Sequence, residues 1–568
     1  MRATLLLLGG LTLVLTCIAA SIRIDYSDSY EIYNNVLALM AGDITAYHIN
    51  RFFLGVVMMT PFVWLQERFA WEGFALLASR TVVPVYYAAT LWLFHRFCRM
   101  SLDRRSALYA TILLGINPVL LRMSVTVKED LPGLCLAMAA FYLYARSLRS
   151  RRTSDLWWAG LLIAAASAMR YNQMPVFPPV IAVCELADAA AQRRIDLRRW
   201  GWVALCCGVL PLVLFVGGST VVHYFMGLDS MGRAFVVFVQ GFKDYLGRSS
   251  GPPEPALESV ELLVATMTPP LLVCALIGMH ESWVQRRTPA VLAGAWAVIA
   301  TVVHVYLISH KEARYHMLAL PALYYFVPAG LAWVRQEAVS RLGSAGRKAA
   351  TVIVACLLWL PIGEAARALI VYTDPIYTRD LHGDLGRLVK ELAATGGKVY
   401  WAGPHYSVYP KDFRWHPKDD YGYIYHVFPH VVEYYARLVP RMLVYDNADA
   451  LKDGDVLIVC RASESHTTET APSTIRPLTV GRVRVKDFLP EIVRVEKGAH
   501  VFESVGDGLG EGEALVYRTD GTLECLPAEL KDGSTIVRAP FYGEQGPDVE
   551  RIEYLEYERP FRLDPRRR

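Results

Sequence analysis

Four groups of polar residues carry the chemistry open to this sequence. The first is Arg23-Ile24-Asp25-Tyr26-Ser27-Asp28-Ser29-Tyr30-Glu31-Ile32-Tyr33. A carboxylate there, Asp28 or Asp25, can take a proton from an acceptor hydroxyl; the run also reads as a solvated loop. The second is Lys128-Glu129-Asp130. Its adjacent carboxylates suit a metal ion or a polar acceptor, and equally suit the cap of a helix opening with Leu131-Pro132. The third, Arg170-Tyr171-Asn172-Gln173, offers a guanidinium for a phosphate or one that snorkels to a membrane surface. The fourth is Ser309-His310-Lys311-Glu312-Ala313-Arg314-Tyr315-His316. Its cations suit a lipid-linked phosphate, or a salt-bridged cap of the next helix.

The elements that must position these groups follow from composition. Of 568 residues, 54% are hydrophobic and 20% charged, with a mean hydropathy of +0.27. These values exclude a disordered chain, a basic nucleic-acid-binding protein and an ordinary soluble enzyme. Residues 1–372 hold 32 Lys+Arg and 22 Asp+Glu, net +10; residues 373–568 hold the other 26 and 32, net −6. Charge density doubles at that point. We therefore expect a membrane domain over 1–372, with a first outer loop at 22–75, and a water-facing domain over 373–568.

A span needs roughly 20 apolar residues. The sequence supplies about eleven candidate stretches, near 4–21, 76–95, 107–122, 131–146, 156–172, 174–186, 201–222, 260–279, 290–308, 316–334 and 349–371. Residues 4–18 also fit the apolar core of a cleaved signal peptide. The stretch 52–65 contains Pro61, is short for a span, and is read as a surface helix. With the N-terminus in the cytoplasm, the basic clusters Arg96/Arg99/Arg104/Arg105, Arg146/Arg149/Arg151/Arg152, Arg193/Arg194/Arg198/Arg199, Arg286/Arg287 and Arg335/Arg341/Arg347/Lys348 all fall inside, as the positive-inside rule requires. The same parity puts the four chemical groups and the second domain outside the cytoplasm. Charges at span ends on that side are costly unless used.

Eight cysteines lie in or beside apolar stretches and act as small hydrophobes. No CxxC pair suggests zinc; Cys460 and Cys525 are available for a disulfide in an oxidising compartment. In the second domain, 380–395 reads as a helix, and Lys398–Ala402, Met442–Tyr445 and Val456–Cys460 read as strands, with Asp-Gly turns at 453–454 and 520–521. That is an α/β domain. The crowd of Trp401, His405, Tyr406, Tyr409, Trp415, His416, Tyr421, Tyr423, Tyr425 and His426 fits sugar stacking or a Tyr-rich domain edge.

His310-Lys311-Glu312-Ala313-Arg314-Tyr315, followed by Leu320-Pro321, resembles the HKExR(F/Y) signature of glycosyltransferase family 22, the dolichyl-phosphate-mannose-dependent mannosyltransferases. The wider resemblance, over residues 1 to about 370, is to the GT-C superfamily. It rests on an acidic first outer loop, a juxtamembrane stretch, Arg80 near the start of the next span, and an acidic pair before span 4. Asp28-Ser-Tyr-Glu-Ile-Tyr33 and Leu39-Met-Ala-Gly-Asp43 are similar to the DExxxY…GD run of bacterial and protein-O-mannosylating relatives, whereas family 22 has a His-Pro-Asp-Glu type motif there.

The resemblance implies an inverting transferase that moves a sugar, mannose by the signature, from a polyprenyl-phosphate donor to a lipid-linked glycan or another acceptor. Asp28 is the implied base, with Asp25 second. Lys311, Arg314 and His310, helped by Arg170 and Lys128, are expected to hold the donor phosphate. Glu129, Asp130, Glu312 and Tyr315 are expected to serve the acceptor or the structure. No metal is required, although Glu129 and Asp130 offer a place for a divalent ion. Beyond membrane lipids, donor and acceptor, no nucleic-acid partner is expected. The Arg-rich composition points to a bacterial inner membrane with a periplasmic second domain; the alternative is an endoplasmic-reticulum membrane with a lumenal one. The rival functions are a periplasmic polysaccharide ligase or polymerase fed by diphosphate-linked glycans, and a lipid or glycan transporter. The second would call for inverted repeats or mid-span polar residues.

Overall fold

The computed structural model describes residues 2–22, 27–42, 53–69, 77–225, 230–247, 256–284, 288–308, 313–370 and 372, the short pieces 388–389 and 391–392, and a set of strands between 399 and 563. The chain divides into two compact units near residue 378.

The first unit is helical. Its helices are α1 Arg2–Ser21, α2 Ser27–Met40, α3 Phe53–Arg68, α4 Leu77–Cys98, α5 Arg104–Gly115, α6 Pro118–Met123, α7 Asp130–Ser150, α8 Thr153–Met169, α9 Phe177–Gln192, α10 Leu197–Val203, α11 Leu210–Phe225, α12 Met231–Gly247, α13 Ala256–Met267, α14 Pro269–Val284, α15 Thr288–Val302 and α16 Leu320–Ile370. Prolines punctuate them as the missing N–H predicts. Asn117 caps α6 and Pro118 is its first residue; Pro178 and Pro179 sit in the opening turn of α9. Helix α16 is two helices joined at Gly343, which is left-handed at φ 58°.

Among the described residues, five helical stretches are long and apolar enough to cross a bilayer: Asp130–Ser150, Tyr171–Gln192, Leu197–Phe225, Pro289–Leu307 and Lys348–Ile370. A sixth is the pair α13–α14 if its two halves form one span, but they meet at 96°. Among the described residues these correspond to five of the eleven expected stretches, or six with the bent pair. The stretch 107–122 is broken by Asn117-Pro118 into α5 and α6, and 260–279 is broken at Thr268-Pro269, where Thr268 takes φ +64°. In both places a proline removes a helical hydrogen bond inside an apolar run, which hydropathy alone does not register. The stretch 52–65 is a helix, α3, with Pro61 inside it.

The core of this unit is built from α7 packed on α8 and α4, α4 on α1, and α14 along α16. Helices α14 and α16 approach so closely at Gly278 and Gly330 that a side chain at either would run into the partner backbone, the small-residue contact expected where lipid supplies no driving force for helix association. Trp296 of α15 is fully buried and stacks on Phe141 of α7 at 4.1 Å. Helix α12, unread in the sequence, lays Phe238 and Phe242 against Tyr171 and Phe215.

The second unit is described mainly as strands: β1 Val399–Ala402, β2 Tyr406–Val408, β3 Tyr425–Val427, β4 Leu443–Val444, β5 Val456–Val459, β6 Leu478–Asp487, β7 Ile492–Glu496, β8 Ala499–Val505, β9 Gly512–Arg518, β10 Leu523–Lys531, β11 Ser534–Pro540 and β12 Val549–Leu563. Ten of them form one sheet in the order β4-β1-β5-β6-β12-β9-β10-β11-β8-β7, and β2 pairs with β3. Strands β4, β1 and β5 run parallel, as in an α/β arrangement; from β5–β6 onward every pairing is antiparallel. Val501, Ala514, Val516, Ile536 and Val537 are buried in the antiparallel part. The expected strands near 399, 443 and 456 are present, whereas the larger antiparallel part was not anticipated. Most of the expected helix at 380–395, both Asp-Gly turns and Cys460 lie outside the described residues.

Candidate active site

Helix α2 carries the first group. Ser27, Asp28 and Ser29 open it, and Gly42, at φ +73°, closes the turn that ends it. That left-handed position is open to glycine at little cost. Ser29 is fully buried and its hydroxyl donates to the carbonyl of Val127 at 2.7 Å. Asp28, the residue before it, is thereby placed on the turn that abuts the Val127–Asp130 segment. The side chain of Asp28 and the whole of Asp25 lie outside the described residues. The N-terminal edge of the same loop is held by Arg80, which is fully buried in the first turn of α4 and donates through Nη1 to the carbonyl of Ile22. Tyr33 of α2 donates to Glu67 of α3 at 3.3 Å, and the backbone N–H of Ala78 donates to Gln66 at 3.3 Å. These bonds tie α2, α3 and the start of α4 together.

The second and third groups meet. Lys128, Glu129, Asp130 and Arg170 are each 6% exposed or less. Asp130 Oδ1 and Arg170 Nη2 form an ion pair at 2.5 Å. Glu129 stands at the helix N-cap with helical φ/ψ and makes no side-chain capping bond, so the capping reading of this acidic pair is corrected: Asp130 holds an arginine instead. Snorkelling of Arg170 is likewise corrected, because its charge turns inward to Asp130. Burial demands a partner for each charge, and these two residues supply one another.

Two glycines make room. A side chain at Gly55 of α3 would bring its Cβ within 2.7 Å of Glu129 Cγ, and one at Gly133 would stand 3.1 Å from Gln173 Nε2 and 3.2 Å from Arg170 Cγ.

The fourth group joins through Tyr315. The guanidinium of Arg170 lies 5.2 Å from its ring centroid and that of Arg314 lies 5.4 Å away, both within cation–π reach. Arg314, Tyr315 and His316 share a tight 3₁₀ turn, Ala313–Leu318. His310, Lys311 and Glu312 lie outside the described residues.

The structure therefore links α2, the Lys128-Glu129-Asp130 corner, Arg170 and the Arg314-Tyr315 turn in one continuous cluster, although they are far apart in sequence. Some of its acceptors are unmet. Asp130 Oδ2, Asn172 Oδ1 and Gln173 Oε1 are buried without a hydrogen-bond partner. Among the described residues no set of three His, Cys, Asp or Glu side chains stands together for a metal, and one oxygen of Asp130 is occupied by Arg170.

Sequence reasoning missed Arg122, buried on α6, and Asn117, Ser259 and His304, all buried near this region. For Asn117 a signal was present: Asn-Pro inside an apolar run is a helix-start dipeptide. Ser259 and His304 carry no such mark.

Residues 32–217 match the family model described as dolichyl-phosphate-mannose-protein mannosyltransferase. The match ends before the His310–Tyr315 loop, so the likeness to family 22 stands outside it. No curated protein matches the sequence. Among solved structures, ArnT from Cupriavidus metallidurans bound to undecaprenyl phosphate is 12% identical, with a TM-score of 0.53 over 80% of this chain and 93% of that one. The archaeal oligosaccharyltransferase AglB from Archaeoglobus fulgidus, in complex with an inhibitory peptide and a dolichol-phosphate, is 12% identical, with a TM-score of 0.51 over 94% of this chain and 76% of that one. The apo form of the Archaeoglobus fulgidus oligosaccharyltransferase is 11% identical, with a TM-score of 0.51 over 97% of both chains. The chain shares its fold with these structures.

Proposed function

We propose that this protein is an integral-membrane inverting glycosyltransferase that moves a sugar from a polyprenyl-phosphate carrier to an acceptor hydroxyl. The observation that carries this reading is the cluster joining the Asp28 turn of α2, the Glu129–Asp130 corner, Arg170 and the Arg314-Tyr315 turn. A family match over 32–217 supports it, as does a fold shared with structures that hold undecaprenyl phosphate and dolichol-phosphate.

In this reading Asp28 takes the proton of the acceptor hydroxyl, with Asp25 the second choice. The freed oxygen attacks the anomeric carbon from the face opposite the phosphate. The bond from that carbon to the phosphate oxygen breaks, and the electron pair leaves with the lipid phosphate. Arg314, with Lys311 and His310 from the adjoining segment, stabilises the charge growing there. Lys128 adds a further cation. Arg170, paired with Asp130, holds the Tyr315 ring in place. One displacement inverts the anomeric centre. The cations do the work a metal would otherwise do, so the reading requires none.

Mannose is the sugar we favour, a lipid-linked glycan the acceptor, and the outer face of a bacterial inner membrane the place, with the second unit in the periplasm. The test is Asp28→Asn in purified protein reconstituted with undecaprenyl-phosphate mannose. We expect turnover to fall about 10²–10⁴-fold, the worth of a positioned base, and full turnover in the variant overturns the assignment. Transfer from diphosphate-linked glycans alone would instead establish a ligase or polymerase.

A further inference from the structure

The break between α13 and α14 leaves a backbone carbonyl in an apolar setting, and the fold answers it. Asn117 Nδ2 donates to the carbonyl of Thr266 at 2.9 Å and to the Tyr324 hydroxyl at 3.2 Å. Its Oδ1 accepts from the backbone of Val119 and Leu120. One side chain thus caps α6 and fastens the last turn of α13.

Nearer its start, α13 carries Ser259. Its hydroxyl lies 3.2 Å from His316 Nε2, a hydrogen bond whose donor depends on the ring tautomer, and makes a long 3.5 Å contact to the carbonyl of His304. The two imidazoles meet edge to face, 5.6 Å between centroids. Ser259, His304 and His316 are each 1% exposed. His304 lies in the π turn Val303–Leu307 that ends α15, and His316 lies in the 3₁₀ turn that presents Arg314 and Tyr315. The segment 309–312, with His310 and Lys311, is bounded by these two turns in the sequence. A single hydroxyl therefore touches the chain on both sides of the cationic loop.

We propose that Ser259 is a positioning residue for that loop: acting through His316 and the His304 carbonyl, it sets where Arg314 and Tyr315 stand and so tunes affinity for the lipid-linked phosphate. The proposal rests on the transferase reading for its ligand, and on the contacts above for its geometry. A buried hydroxyl bridging two segments limits their relative motion, because moving either segment breaks a contact made away from water. Ser259 touches no reacting atom in this scheme.

The test uses the full chain in lipid nanodiscs, as wild type, Ser259→Ala, Ser259→Thr, Arg314→Ala and the Ser259→Ala/Arg314→Ala double variant. Two quantities are read: hydrogen exchange over residues 313–318, and the Kd for undecaprenyl phosphate. Ser259→Ala should speed exchange in that turn and weaken binding by about tenfold, one hydrogen bond's worth. Ser259→Thr, which keeps the hydroxyl, should stay within roughly twofold of wild type on the same scale. Added to Arg314→Ala, the Ser259 change should cost nothing more, because contacts acting through one residue are not additive. Unchanged exchange in Ser259→Ala overturns the proposal, and so does a fully additive penalty in the double variant. If wild type binds no undecaprenyl phosphate while Ser259→Ala loosens 313–318, the transferase reading falls and the positioning role stands.

Discussion

Helix α7 begins beside one buried ion pair and ends beside another. At its C-terminal end Glu185 and Arg199 are joined by two bonds, Nε to Oε2 at 3.0 Å and Nη2 to Oε1 at 2.8 Å. Tyr144 donates to the same carboxylate at 3.0 Å, and Arg199 Nη1 donates to the carbonyl of Ser147 at 3.3 Å. At its N-terminal end the pair is Asp130 and Arg170, and there Asp130 Oδ2, Asn172 Oδ1 and Gln173 Oε1 are buried without hydrogen bonds. A buried charge pair is tolerable when its remaining lone pairs and protons are met. The C-terminal end meets them and behaves as a clamp holding α7, α9 and α10 together. The N-terminal end leaves these three acceptors unmet, and under the transferase reading that is where stability is given up for chemistry.

The largest effect that can break this comparison comes from isosteric charge removal at the two ends. Glu185→Gln should lower unfolding stability by about 3–5 kcal/mol, the penalty for stranding a buried arginine, with binding of lipid phosphate by the folded fraction unchanged. Asp130→Asn should cost roughly 1–3 kcal/mol, because it loses fewer bonds, yet should impair transfer strongly. Denaturation in detergent and turnover per folded molecule decide the matter; equal stability losses at the two ends would remove the distinction.

A smaller effect sharpens it. Gly133→Ala places a methyl group against Arg170 and Gln173 and should cost about 1–2 kcal/mol by overpacking. It should also weaken undecaprenyl phosphate binding, which separates the N-terminal end from an ordinary crowded helix contact.

The smallest effect serves as a control away from both ends. Asp103 caps α5, accepting from the backbone of Arg105 at 2.8 Å and of Ser106 at 3.2 Å. The Ser106 hydroxyl, followed by these backbone bonds, holds its carboxyl below the ordinary aspartate value. Because the folded-state value is the lower one, the cap stabilises above the unfolded-state pKa and is lost as pH falls through the folded one. Asp103→Ala should cost about 1 kcal/mol near neutral pH and progressively less on acidification, with no change in transfer.

Much of the site was legible as chemistry before it was legible as geometry. Lys128-Glu129-Asp130, Arg170 and Arg314-Tyr315 stood out because charge in or beside apolar sequence is expensive and therefore conspicuous. Which charge would answer which was not legible: nothing in the spacing of residues 130 and 170 says that they pair, and both were given other partners. Asn117 showed only as a helix start beside Pro118, and Ser259 not at all, for a different reason. A neutral side chain in a hydrophobic run changes hydropathy little, and its importance arises only when a backbone carbonyl such as that of Thr266 is left without its helical donor. The large antiparallel sheet escaped although part of its pattern was there to read: Arg482-Val483-Arg484-Val485-Lys486 of β6 and Val493-Arg494-Val495-Glu496 of β7 alternate in period two.

By itself the sequence determined the apolar, charge-poor character of residues 1–372, the change in charge density beyond them, and the residue types able to hold a phosphate and accept a proton. These are local properties, fixed by how each side chain partitions between water and hydrocarbon. Only the tertiary structure decided that Asp130 turns to Arg170, that two arginines share the Tyr315 ring, and that Asn117 answers the carbonyl of Thr266. Each of these is a matter of which buried polar group finds a partner, and that is settled by segments far apart in the chain arriving at the same place.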